Sequence, residues 1–209
     1  FTLRNIGIDT TVLDNEIYNI GIFGSVNGAT FKNIKIDYTN DGFIKTNIKK
    51  DRFTPVYIGG FVGNVFRDKI SSFENISINN IVNISGSNDS QDSHIGGFAG
   101  YIGNGYFSQI SLKNIKNFNN DSRIYSYTGG FAGKIDNGNF SNISLNEIGN
   151  FHNSSNVANH IGGFAGYITD GTFKNIDLIT VKNLNNQHTS DYYANENIIG
   201  GFAGQIDNG

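Results

Sequence analysis

Residues 161–173 read IGGFAGYITDGTF, and residues 95–107 read IGGFAGYIGNGYF, the same phrase with a changed turn. Residues 128–140 read TGGFAGKIDNGNF. Further copies are NIGIFGSVNGATF at 19–31, IGGFVGNVFRDKISSF at 58–73 and IIGGFAGQIDNG at 198–209. The equivalent glycines are Gly21, Gly60, Gly97, Gly130, Gly163 and Gly201, which lie 33 to 39 residues apart. A period in that range marks a solenoid, a propeller or an array of stacked units.

Each unit has a constant part and a variable part. G-F-A-G-x-I alternates with period two, as a half-buried strand does. Phe164, Gly166 and Ile168 fall on one face; Gly163, Ala165 and a variable residue fall on the other. The variable position is Ser25, Asn64, Tyr101, Lys134, Tyr167 or Gln205 and is expected to point outward. A turn follows, with Asn-Gly at 27–28, 104–105 and 137–138 and Asp-Gly at 170–171, dipeptides suited to positive φ. Next comes F-x-N-I-x-[LI], as in Phe73, Asn75, Ile76 and Ile78, and the opening FTLRNIGID fits the same frame through Asn5. A third piece, I-x-N-[FIL], recurs at Ile81, Ile115, Ile148 and Val181. The segments at 40–57, 85–94, 119–127, 152–160 and 185–198 are polar and variable, and they are expected to be loops.

These patterns predict an all-β chain. The expected fold is a parallel β-solenoid, a right-handed β-helix of about six coils, with one coil per repeat built from three short strands and a long loop. Two coils per repeat is the alternative. Residues 1–209 form a single array, expected to be a segment of a longer solenoid that stacks on further repeats of its own chain. In such a stack every copy of Phe98 lies over its equivalents, and each buried ring contributes about 1.5–3 kcal/mol. Asn33, Asn75, Gln109, Asn142 and Asn175 are expected to form one hydrogen-bonded ladder at a corner. Asn83, Asn117, Asn150 and Asn183 are expected to form another.

Composition narrows the function classes. Charged residues make up 16% of the chain, against roughly 25% in typical domains. A net charge of −3 offers no basic surface for nucleic acid or an anionic membrane. Zero cysteines exclude a disulfide scaffold and thiolate chemistry. No apolar run reaches the roughly 18 residues of a membrane-spanning helix, so no membrane insertion by this segment is expected.

Residues with chemistry are few. His94 and His160 precede Ile95 and Ile161 at corresponding positions, with Tyr127 between them, and are expected to be solvated loop residues. A column of Asp9, Asp37, Asn79, Lys113, Asn146 and Ile179 holds no acidic cluster. Asp136, Asp170 and Asp207 belong to turns, and no calcium-repeat, zinc-protease or nucleotide motif occurs. Neither a catalytic residue nor a cofactor or metal is therefore expected. Candidate contact residues are the basic group Lys45, Lys49, Lys50 and Arg52, and the tyrosines Tyr125, Tyr127, Tyr192 and Tyr193.

The glycine-bracketed core, Gly21 to Gly24, Gly60 to Gly63, Gly97 to Gly100, Gly130 to Gly133, Gly163 to Gly166 and Gly201 to Gly204, resembles the GLUG motif. That motif is found in secreted and surface proteins of bacteria, and the resemblance covers nearly the whole chain. The array also looks like the stalks of filamentous-haemagglutinin-like adhesins and autotransporter passengers. The resemblance implies an extracellular or cell-surface location and a non-catalytic, adhesive stalk whose variable parts contact a host cell-surface protein or glycan. It leaves a second reading open, an accessory repeat region of a secreted enzyme such as a zinc-dependent immunoglobulin A peptidase.

Overall fold

The computed structural model of the chain describes residues 1–11, 17–48, 54–89, 91–188 and 196–208. Among them there are twenty-one strands and no helix. The strands form three parallel sheets, one of nine strands and two of six. Each repeat lays one layer on the last. Val62 pairs with Ala99, Ala99 with Ala132, Ala132 with Ala165 and Ala165 with Ala203. The expected β-solenoid with one coil per repeat is therefore what the chain forms. Its six layers enclose about five turns, one fewer than the six coils expected, because six copies of a motif bound five intervals.

The coil differs from three strands and a loop. In three layers one long strand, Thr30–Ile48, Ser71–Asn88 or Asn139–Ser155, runs through both the F-x-N-I-x-L and the I-x-N-F positions and on into the polar segment; between the last two the run is broken into Gly105–Ile115 and Phe118–Ser122. The supposed loops are mostly β-structure: Phe118–Ser122, Tyr125–Gly129 and Ala158–Gly162 are all strands. Buried amides explain how polar sequence can pack there. Asn120 Nδ2 donates to the carbonyls of Ser93 and Tyr127 at 3.0 and 3.1 Å. Asn153 Nδ2 donates to those of Ser126 and His160, both at 3.1 Å. Each amide ties the long sheet to the next sheet in its own layer and in the layer before. A buried carbonyl left unpaired would cost about 1–3 kcal/mol.

The long strand turns its corners at left-handed residues. Asn33, Asn75, Gln109, Asn142 and Asn175 all have φ between 53° and 57°. Asparagine is the side-chain-bearing residue that best tolerates this region. Hydrogen bonds join Asn75 to Asn33 at 2.7 Å and Asn175 to Asn142 at 2.9 Å. Gln109 keeps the corner's backbone between the two pairs. The column is solvent-exposed, so backbone conformation, rather than burial of the amide, calls for asparagine. The second expected ladder is present only in part. Asn150 bonds Asn117 and Asn183 bonds Asn150, but Asn117 Nδ2 turns to the Val82 carbonyl rather than to Asn83. A further corner carries Asn5, Thr39, Asn80, Asn114 and Glu147, again at positive φ. Leu3 pairs with Ile36 and Asp9 with Lys45. FTLRNIGID is thus the later part of the long strand, not its start, and Asp9 leaves the column of Asp37.

Two columns of phenylalanine fill the core. Phe61, Phe98, Phe131, Phe164 and Phe202 stack at 4.9–5.1 Å between ring centroids. Phe31, Phe73, Phe107, Phe140 and Phe173 stack at 4.8–5.3 Å. The columns meet edge to face, for example Phe140 against Phe164 at 6.0 Å. Such contacts add about 0.5–1.5 kcal/mol each beyond burial.

The G-G-F-A-G phrase is not one strand. A strand ends at Gly162 and the next begins at Ala165, so Gly163 and Phe164 form a corner between the second and third sheets. Ala165 is as buried as Phe164, and strict alternation fails there. A Cβ on Gly162 would sit 1.9 Å from the Ala165 carbonyl oxygen. Glycine is required because backbones nearly touch. In the following turn Gly28, Gly138 and Gly171 take positive φ, but Gly105 does not; a Cβ at Gly105 would instead crowd the Phe107 ring at 2.9 Å.

Candidate functional site: an aromatic cleft

The glycine corner has a second effect, on the outside of the solenoid. It folds the second and third sheets so sharply that their outward side chains lie against each other. On the second sheet one column runs Tyr57, His94, Tyr127, His160 and Ile198. On the third runs the variable column Asn64, Tyr101, Lys134, Tyr167 and Gln205. Within the first column ring centroids are 4.9, 4.8 and 4.9 Å apart from Tyr57 to His160. Across the cleft Tyr57 lies 5.3 Å from Tyr101, and Tyr127 lies 5.8 Å from Tyr167.

Charged groups line the cleft in mutual contact. Asp136 accepts hydrogen bonds from the Arg67 guanidinium and the Tyr101 hydroxyl. The Lys134 Nζ is 3.5 Å from Asp136 Oδ1 and 5.2 Å from the Tyr167 ring centroid. Burial pushes the Asp136 carboxyl up, but the Tyr101 hydroxyl, Lys134 and Arg67 outweigh it and hold the group below the usual carboxylate range. Tyr167 donates to Asp207. Asp92 accepts from the Tyr125 amide at 3.3 Å, and burial raises its carboxyl to about 6.

His94 and His160 are 4% and 3% exposed, not solvated loop residues. Ring stacking covers them, and the Nδ1 of each is buried without a hydrogen-bond partner. Burial holds His94 down to about 3, and nearby Lys134 lowers it further while Asp136 opposes. His160 is also lowered by burial, against Glu196 and Asp207. The unfolded chain takes protons below pH about 6.5 that folded His94 refuses. Stability from this group is thus present above pH 6.5 and is lost as pH falls toward 3. Tyrosine occupies the same column at 57 and 127, so His94→Tyr should be accommodated. It is expected to gain on the order of 2–3 kcal/mol over the parent at pH 4, relative to their difference at pH 7. Asp92 has the opposite sense but is common to both proteins. Urea titrations at the two pH values check this; equal acid sensitivity would contradict it.

Of the residues singled out in the sequence, Tyr125 and Tyr127 do meet, at 6.0 Å, and lie at this cleft. Lys45 lies elsewhere, on the long sheet, with its Nζ 4.6 Å from the Phe43 ring centroid. Lys49, Lys50, Arg52, Tyr192 and Tyr193 lie outside the described residues. Sequence reasoning missed Tyr167 as a partner of Tyr127, and Tyr57 with Tyr101 as a second pair across the cleft. The signal was there in the variable outward column, with its tyrosines; what it lacked was the corner that closes the second sheet's column onto it. Among the described residues no group of three or more His, Asp or Glu side chains is placed to hold a metal ion. Comparison with protein-family models, curated proteins and solved structures finds no match to this chain.

Proposed function

We propose that this chain is a non-catalytic stretch of β-solenoid stalk in a secreted or surface-displayed bacterial protein, with an adhesive role. The observation that supports this most is the sameness of the layers. The residues that recur, the paired glycines, the two phenylalanines and the corner asparagines, serve packing, backbone clearance and turning. The residues that change from layer to layer stand on outward faces, where a partner would meet them. A cysteine-free chain of low charge suits export, and the GLUG-like glycine tetrads point the same way. The prominent carboxylate of the cleft, Asp136, is engaged by Arg67, Tyr101 and Lys134, an arrangement that braces a surface.

An antibody raised against the folded segment should label intact, unpermeabilised cells of the source bacterium or its culture supernatant. Labelling that appears only after the cells are permeabilised would overturn the reading.

A further inference from the structure

Near Pro55 the aromatic cleft opens into a pocket of about 460 Å³, lined by Tyr57, Asn64, Asp92, His94, Tyr101 and Tyr127 among others. Two of these residues carry buried, unpartnered polar atoms. Asn64 is 7% exposed and His94 4%, yet Asn64 Oδ1 and His94 Nδ1 bond nothing in the protein. Buried polar atoms are nearly always paired; both are closed off as the protein stands, and a ligand with hydrogen-bonding groups that turns these side chains on entering would pair them.

We propose that this pocket and the ring column leading from it bind a linear, uncharged oligosaccharide that lies along the solenoid axis. The proposal deepens the extracellular reading above and rests on it for the setting in which such a chain is met.

Three features select this ligand class. The first is charge. Arg67 and Lys134 share the single carboxylate of Asp136, and the positive charge left over repels a cation, while Asp68 and Asp92 repel an anion. A ligand rich in hydroxyls and free of charge fits between them. The second is the mixture of surfaces. Pockets that hold small ligands combine apolar walls with a few placed polar groups. The half-buried rings of Tyr57, Tyr101 and Tyr127 supply apolar surface for the C–H groups of a sugar, while the Asn64 and Asp92 side chains offer polar groups to its hydroxyls. The third is spacing. The rings of the column recur at 4.8–4.9 Å. An extended pyranose chain advances only slightly more per sugar than the spacing of β layers, about 4.8 Å, so neighbouring sugars fall against neighbouring layers.

The test is titration calorimetry of the whole chain with tri- to hexasaccharides of β-linked glucose, galactose and N-acetylglucosamine, beside a tetralysine peptide and a sulfated disaccharide. One neutral series should bind saturably and more tightly as it lengthens. Tyr101→Ala should weaken that binding about tenfold or more, as loss of an interface anchor does. Because Tyr101 also braces Asp136, Asn64→Ser serves as a second variant; serine already occupies that column at Ser25, and the same loss is expected with an unchanged melting temperature. Glu74→Gln, on the long sheet, should bind like the parent. No saturable binding to any neutral series, preference for the peptide or the sulfated sugar, or indifference to both cleft variants would each overturn the proposal. None of these outcomes bears on the cell-surface labelling that tests the stalk reading, so the two can fail separately.

Discussion

Phe164→Ala is expected to destabilise the solenoid by about 3–5 kcal/mol, the usual cost of emptying a core ring site. Phe164 is wholly buried, stacked on Phe131 at 4.9 Å and Phe202 at 5.1 Å, with Phe140 and Phe173 edge-on at 6.0 and 5.8 Å. The cavity cannot close readily. Both columns are set by strand spacing, and neighbouring rings cannot slide without breaking register. Phe164→Asp adds an uncompensated charge to the same site and should leave those layers unfolded at neutral pH. Solenoids are nearly one-dimensional, so a break within the array should uncouple the layers on either side. Urea unfolding followed by circular dichroism would then show two transitions, or one at much lower urea. A midpoint unchanged in both variants would show that the stacked columns do not hold the fold together.

The second large effect comes from adding a single carbon. At Gly129 a Cβ would lie 2.1 Å from the Ala132 oxygen, 2.5 Å from Ala165 Cα and 2.6 Å from the Phe164 oxygen. All three are backbone atoms, and two belong to the next layer. Relief would require one coil to move off another. Gly129→Ala is therefore expected to cost about 4 kcal/mol or more, at the upper limit of single substitutions. Gly149 is a matched control. A Cβ there meets nothing nearer than 3.7 Å, at Lys182. Gly149→Ala should raise stability by about 0.4–1 kcal/mol through lost freedom in the unfolded chain. The paired urea midpoints should move in opposite directions. If they move together, the corner glycines serve something other than clearance.

Much of the architecture was legible because a solenoid writes its contacts into its period. Phe98 stacks on its own copies, and a residue whose partner is its equivalent in the next repeat can be placed by counting. The variable column from Ser25 to Gln205, the first corner and the Phe98 column were visible in that way; the column of Tyr57, His94, Tyr127 and His160 was not, because its residues lie in segments that read as loops. The reason for the corner asparagines was not. A left-handed φ and a hydrogen-bonded ladder select the same residue, and only the exposed positions of Asn33, Asn75, Asn142 and Asn175 separate the two. The polar segments misled for a related reason. Asn120 and Asn153 look like loop residues, yet each lies buried with its amide bonded to carbonyls of two layers.

The candidate site lies on the other side of that divide. Sequence alone determined the layer, its period and the variable outward column of the third sheet, because those follow from local periodicity repeated in register. Only the tertiary structure decided that two outward columns share one cleft. That depends on the angle between two sheets, and the angle is set by how closely backbones approach at Gly-Gly-Phe. The same closeness buries His94 and His160, shifts their protonation and brings Tyr57 against Tyr101. No pattern along the chain carries that distance, because it is a contact between neighbouring coils.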